Sequence, residues 1–381
     1  MKLQTRLIQT KHTRNEEDLV PPIHTSVLFS MDEPSSDSGS QYGRIHNRTR
    51  DALTRALMDI HSAGFGMVTS SGSAAIAAVC LSVMGKDTAV LHHTECYEGT
   101  RRIFTEILRP FGVRSIPCDF TDPSTVSSIM EKEKSIILWI ESPTNPTLRV
   151  FDIRALSTCA HRHSAIAVVD TTMCSGLVQQ PLDHGADIVV ESLTKGMNGH
   201  SDALGGFVGT NNEGLGIRIR SVVETTGPTL DPWQSFLIHR GISTAHVRLK
   251  AQQRTATQIA KWLQHEPHIA HVMTPGSNNP HEQKTAKHQM TGKGQVVSFT
   301  LNPSCSASAF VKSLSLIRIS HSFGGVETII QQPKTMMDMR HVPDAQKPDE
   351  RLFRLSVGLE HSEDIIADLK QALEQSSTHM I

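Results

Sequence analysis

This 381-residue sequence predicts an α/β fold built on a mainly parallel sheet. Two observations predict it. Short apolar runs without strict alternation recur through the middle of the chain, among them "AVLHH", "IILWIE", "IAVVD" and "DIVVE". Strands of that texture are buried on both faces, as in a parallel sheet covered by helices. Helical stretches separate the runs, and each run ends in a polar turn carrying hydroxyl, acidic, glycine or lysine residues. Ligands of such sheets gather at the carboxyl ends of the strands, so these turns mark where a site belongs.

The elements follow in order. Residues 1–45 contain "VPPIHTSVLFS" and the Ser-rich "MDEPSSDSGSQ" and read as an extended arm, not a core element. From Asp51, the residues Leu53, Ala56, Leu57 and Ile60 recur at helical spacing. "GFGMVTSSGSAAI" then gives a strand, a Ser/Gly turn and the start of an Ala-rich helix. Residues 46–230 form the unit with the repeated strands. Beyond it the texture changes. Gln234 to Glu266 reads as one long helical tract, "GQVVSFTL", "LSLIRISHSFGG" and "LFRLSVGLE" supply strands, and an amphipathic helix capped by Ser362 closes the chain. Residues 231–381 are therefore a smaller α+β unit.

Composition removes several functions. A net charge of −1 offers no basic field for nucleic acid. No apolar run approaches the ~18 residues of a membrane span, and the N-terminus lacks the apolar core of a leader, so a soluble cytoplasmic protein is expected. The six cysteines form no CxxC pair and read as reduced thiols. Of the 21 histidines, His92–His93 and His161/His163 are the closest, and neither spacing sets two imidazoles on one helical face, so no metal is expected.

One lysine stands out. Lys195, in "ESLTKGMNGHSDALGG", follows a buried strand, where an ammonium loses hydration. It is either a solvated strand-end charge or a lysine that gives up its proton to form a Schiff base. The neighbouring turns favour the second reading, because together they carry what pyridoxal phosphate needs. Ser192 and Thr194 offer hydroxyls to a phosphate, and Ser70, Ser71, Gly72 and Ser73 open a helix as an anion cradle. Asp170 ends a strand where it can hold a pyridinium nitrogen, and Tyr97 offers a ring to stack. Taken singly, each is equally a cap or turn residue.

These residues resemble the Cys/Met-metabolism pyridoxal-phosphate enzymes, the group of cystathionine γ-lyase, cystathionine γ-synthase and methionine γ-lyase. "ADIVVESLTKGMNGHSDALGG" is similar to their lysine signature, and "QYGRIHNRT", "SSGSAAI", "CYEGT", "ESPTNPTLRV", "VVDTTM", "RGIST", "SHSFGGVET" and "FRLSVGLEHSEDIIADL" follow in family order. The resemblance implies an aminotransferase-type fold (fold type I), a seven-stranded sheet, and a homotetramer of two active dimers. It implies that Tyr42 and Arg44 reach the neighbouring subunit's phosphate, while Gly72, Ser73, Ser192 and Thr194 bind phosphate in their own chain. Tyr97 would stack on the cofactor ring, Asp170 would hold its nitrogen and Thr172 would support it. Arg354 would pair with the substrate α-carboxylate, helped by Asn145 and Ser322. Lys195 would carry the cofactor and move protons, with Tyr97 as an acid or base. The reaction implied is γ-elimination from an amino acid, giving a 2-oxo acid and ammonia. γ-Replacement on an activated homoserine, β-elimination, or a non-catalytic role are the alternatives.

Departures from the family pattern bear on the substrate. Members that handle cystathionine often carry carboxylates where this chain has Gln41 and His321, and neither residue supplies a fixed negative charge. Small, neutral or anionic γ-substituents are therefore expected over cystathionine. Gly99 stands where methionine γ-lyases have a thiol, Glu98 replaces a common Gly, Phe323 a common Leu, and Arg48 a usual Pro.

Overall fold

The computed structural model describes residues 2–9, 19–30, 42–133, 136–338 and 347–377. Seven strands form the larger sheet: β1 (Phe65–Thr69), β2 (Ala89–His93), β3 (Arg114–Cys118), β4 (Ile136–Glu141), β5 (Ile166–Asp170), β6 (Ile188–Ser192) and β7 (Gly206–Thr210). Their order is β1-β7-β6-β5-β4-β2-β3. β7 pairs antiparallel with both neighbours, and the pairs from β6 to β3 are all parallel. The mainly parallel sheet read from the apolar runs is present.

Burial on both faces explains why those runs do not alternate. On β4, Ile137 and Trp139 pack into one core with the helix Gly72–Val83, while Leu138 and Ile140 pack into another with the helix Ile153–Arg162. On β6, Val189 faces a third core shared with the helices Arg48–His61 and Pro232–Leu263. Both faces must be apolar, so period 2 disappears.

A second sheet contains β8 (Ile269–Met273), β9 (Val296–Leu301), β10 (Arg318–Ile319), β11 (Ile329–Gln331) and β12 (Leu352–Ser356), in the order β10-β11-β12-β9-β8. It is antiparallel except for β10 with β11, and the helices Pro232–Leu263 and Ser362–Ser377 pack on it. Among the described residues, no helix is long and apolar enough to cross a membrane.

Three local expectations are corrected. The N-terminal segment is not wholly an arm: Leu3–Gln9 is helical, and Leu7 is buried against Leu53 and Leu57. Ser362 is the first helical residue and not the residue before it, and His361 Nδ1 accepts from the Glu363 N–H (3.4 Å). "LSLIRISHSFGG" yields only the exposed two-residue strand β10, and its His321, Ser322 and Phe323 leave the sheet for the cavity described below. The six cysteines are buried and free. His92 and His93 are buried too, and desolvation pushes both down to about 4, so they are neutral core residues.

Candidate active site

The carboxyl ends of the parallel strands converge on one cavity of about 300 Å³. β1 runs through Ser71 into the helix Gly72–Val83, whose first turn is held by Ser71 Oγ accepting from the Ala74 N–H (3.1 Å). A Cβ on Gly72 would sit 2.7 Å from the Ser192 Cβ, so glycine is what lets the Ser71–Ser73 turn and the end of β6 close together. Hydroxyls from both strands then border the amino end of a 12-residue helix, where anions are favoured. Thr194 Oγ1 accepts from the Gly205 N–H (3.1 Å), and Thr172 Oγ1 from the Ser192 N–H (2.8 Å). These bonds tie the turn after β5 to the turn after β6.

The floor of the cavity is acidic. Glu141 and Asp170 are directly paired in register at the ends of β4 and β5, and both are buried. Burial raises both carboxyls, and repulsion from Asp170 lifts Glu141 further. Asp170 Oδ1 accepts from the Thr172 N–H (2.9 Å) and Glu141 Oε2 from the Tyr97 N–H (2.7 Å). Among the described residues neither acid has a cationic ion-pair partner, so a ligand bringing positive charge to this floor would relieve both. The Tyr97 ring lies over Gly99, where any Cβ would come within 2.5 Å of it. A side chain at 99, such as a thiol, would require the Tyr97 ring to shift.

The opposite wall is cationic and is shared, Arg354 coming from the second sheet and Lys195 from the turn after β6. Arg354, on β12, is 3 % exposed, and desolvation brings it down to about 10. Its Nη1 donates to Asn145 Oδ1 (2.7 Å) and its Nη2 to the Ser322 carbonyl (2.6 Å), while its Nε has no partner. Lys195 Nζ donates to Ser322 Oγ (2.7 Å), and burial followed by repulsion from Arg354 lowers its pKa to about 8. The Phe323 ring lies near both cations, its centroid 5.2 Å from Lys195 Nζ and 5.1 Å from the Arg354 guanidinium carbon. Between about pH 8 and the ordinary lysine pKa the unfolded chain holds a proton that folded Lys195 has lost. The burial penalty is therefore fully present below pH 8 and fades as pH rises. Two cations that repel in a half-closed cavity weaken the fold, and an anionic ligand offsets this.

Lys195, Tyr97, Gly72, Ser73, Asp170, Thr172, Ser192, Thr194, Asn145, Ser322, His321 and Arg354 thus meet around a single cavity. Tyr42 and Arg44 do not line it: Arg44 donates to the Glu224 carbonyl and its guanidinium lies 5.6 Å from the Tyr42 ring. Gln41 lies outside the described residues. Four contributors escaped the sequence reading. Glu141, Gln331 and Met337 line the cavity. Arg248, on the long helix, donates to the carbonyls of Gly196, Met197, Asn198 and Gly241 and so fixes the loop after Lys195. Only Glu141, at the end of an apolar run as Asp170 is, carried a readable signal.

The cavity asks for a ligand with an anionic end, a cationic group toward Asp170, a flat face for Tyr97 and an electrophile for the Lys195 amine. Pyridoxal phosphate has all four. The family described as Cys/Met metabolism PLP-dependent enzyme matches residues 4–374. A cystathionine gamma-lyase of Dictyostelium discoideum is 34 % identical over 370 residues, covering 95 % of this chain and 94 % of that protein. A cystathionine beta-lyase of Lactococcus lactis subsp. cremoris is 34 % identical over 360 residues, covering 93 % of each chain. The solved cystathionine gamma synthase of Xanthomonas oryzae pv. oryzae superposes with a TM-score of 0.94 at 32 % identity over 100 % of both chains. The fold is accordingly that of the aminotransferase-type, fold type I enzymes. This chain belongs to the pyridoxal-phosphate-dependent enzymes of Cys/Met metabolism, whose members similar to it are lyases and synthases.

Proposed function

We propose that this enzyme eliminates the γ-substituent of an amino acid to give a 2-oxo acid and ammonia. The observation that carries this reading is that Lys195 and Arg354 line one cavity, both close to the Phe323 ring. A planar, forked guanidinium suits a carboxylate, and an amine near pKa 8 is poised to take and return protons. Gly72, Ser73, Ser192 and Thr194 hold the phosphate of pyridoxal phosphate, Asp170 its ring nitrogen, Thr172 its ring and Tyr97 its exposed face. When bound, the cofactor supplies an electron sink for the charge left by proton loss at Cα. Arg354 binds the α-carboxylate, with Asn145 and Ser322 holding the guanidinium in place. The Lys195 amine takes the proton from Cα and hands protons on at Cβ. The Tyr97 phenol, raised by burial and the nearby Glu98, stays protonated at neutral pH and can give its proton to the leaving group. A substrate panel assayed for ammonia and 2-oxo acid, with and without an added thiol, tests the reading. Loss of ammonia release in favour of a thiol adduct would assign γ-replacement instead.

Capture of the cofactor aldehyde needs a neutral Lys195. Its rate in the apoprotein is expected to rise about tenfold per pH unit below about pH 8 and to level off above it. Stopped-flow absorbance from pH 6 to 9.5 reads this directly, and a flat profile would contradict it.

Tyr42 and Arg44 are proposed to complete the phosphate site of a neighbouring subunit. Their place outside their own chain's cavity supports this. Mixing Arg44→Ala chains with Lys195→Ala chains should restore part of the activity through hybrid sites, and mixed oligomers that stay inactive at every ratio would remove the basis for sharing. A cytoplasmic tetramer, with 46–230 as the cofactor-binding unit and 231–381 as the smaller one, is the accompanying reading, and the free, buried cysteines are in keeping with a reducing compartment.

A further inference from the structure

One carboxylate on the cavity wall enters the chemistry above only through its effect on the Tyr97 phenol. Glu98 follows Tyr97 and lines the cavity beside it. Glu141 and Asp170 lie on the floor that the cofactor covers, so Glu98 is the acid left facing the substrate's side chain. Its position is fixed from across the cavity mouth, because Oε2 accepts the backbone N–H of Asp338, just after Met337 on the wall. The Arg102 guanidinium, 3.8 Å from Asp338 Oδ2, holds the same junction. A carboxylate anchored at one oxygen leaves Oε1 for a ligand. Glu98 is felt inside the cavity: after burial it is the next cause that raises the Tyr97 phenol, and it offsets part of the burial that lowers the Arg354 guanidinium. The same wall holds Gln331, paired in register with Arg354; it is 5 % exposed and its Oε1 has no hydrogen-bond partner. A buried acceptor without a donor is unfavourable and is relieved by a ligand N–H.

The cations of the wall are already committed. Arg354 is taken by the α-carboxylate and Lys195 by the cofactor, and among the described residues that line the cavity no other lysine or arginine remains for a second anionic group. We propose that Glu98, with Gln331 as a second acceptor, sets the charge of the γ-substituent: it favours one ending in a primary ammonium and rejects one ending in a carboxylate. The inference rests on the γ-elimination reading and narrows its substrate class to γ-thioether or γ-ether amino acids with a terminal amine and no carboxylate beside it. The expectation drawn from Gln41 and His321 alone, which admitted anionic substituents, did not count this carboxylate. Cystathionine, whose far end carries both charges, gains from its amine and loses from its carboxylate.

The test uses three amino acids that bind without a γ-leaving group: lysine, 2-aminoheptanoate and 2-aminoadipate, with cationic, neutral and anionic ends. Calorimetric titration of the holoenzyme should order their affinities in that sequence, with lysine about tenfold or more tighter than 2-aminoheptanoate. Glu98→Gln keeps an acceptor for the Asp338 N–H and removes the charge, so it should bring the three affinities to within about threefold of one another. Equal affinities in the unmodified enzyme, or an order that survives Glu98→Gln, would overturn the inference. A parallel assay compares kcat/KM for S-(2-aminoethyl)homocysteine and cystathionine, and the amine-only substrate should lead by about tenfold, falling to parity in Glu98→Gln. If no γ-substituted amino acid releases a 2-oxo acid, the γ-elimination reading falls by itself, while the titrations still judge Glu98.

Discussion

Lys195→Ala is expected to fold, to bind pyridoxal phosphate without a borohydride-reducible bond to the protein, and to lose about a thousandfold or more in turnover. Folding survives because the change removes a partly desolvated cation that repels Arg354, and it leaves the Ser322 hydroxyl free to turn to water. Cofactor binding survives in part because the helix amino end, the hydroxyls of Ser73 and Ser192, and Asp170 are untouched. Mass spectrometry after borohydride treatment decides the matter. A cofactor-sized adduct on Lys195 in the native chain and none in the variant is the expected result. An adduct retained at another lysine of the variant under native conditions would sink the assignment.

Arg354→Leu should separate substrate binding from cofactor binding. Removing one partner of a buried, charge-assisted pair costs ~2–5 kcal/mol, which corresponds to a loss of about thirtyfold to a few thousandfold in kcat/KM. Two acceptors, Asn145 Oδ1 and the Ser322 carbonyl, lose their donors at once, and part of the penalty falls there. The cofactor spectrum should remain, because Arg354 faces the substrate side of the cavity. Arg354→Lys should recover only part of the loss, since a point ammonium cannot bind a carboxylate and two protein oxygens in one plane. Steady-state kinetics with cofactor-saturated variants checks both. An unchanged KM for the amino acid in Arg354→Leu would remove Arg354 from the carboxylate site.

These two residues show how differently the sequence discloses its parts. Lys195 was legible because everything that marks it is local: an apolar run, a hydroxyl on either side of Leu193 and a glycine within a dozen residues. Asp170 and Ser73 were legible for the same reason, Asp170 ending an apolar strand and Ser73 lying in the Ser/Gly turn that opens a helix. Arg354 sits in a strand and looks like a solvated arginine until it is brought against Asn145, 209 residues earlier. Without the family resemblance, its spacing says nothing. Arg248 was invisible by either route. It is one cation on a 32-residue helix, and only the return of the chain against the Lys195 loop adds three carbonyls to the one, Gly241, that its own helix offers. Strands β7, β8 and β11 were missed for a related reason. "GFVGT" carries two glycines, β8 is half-exposed, and β11 has three residues, so their pairing rests on neighbouring strands and not on their own pattern.

The sequence by itself determined the central parallel strands, the positions of their polar turns and the place of Lys195 among them, because strand burial and turn composition are written in short windows. Tertiary structure alone decided the charge inside the cavity. The sequence names Glu98, Gln331 and Arg354 but not their distances. Electrostatic interaction depends on separation and solvent exclusion, and both arise only when the second sheet closes over the first.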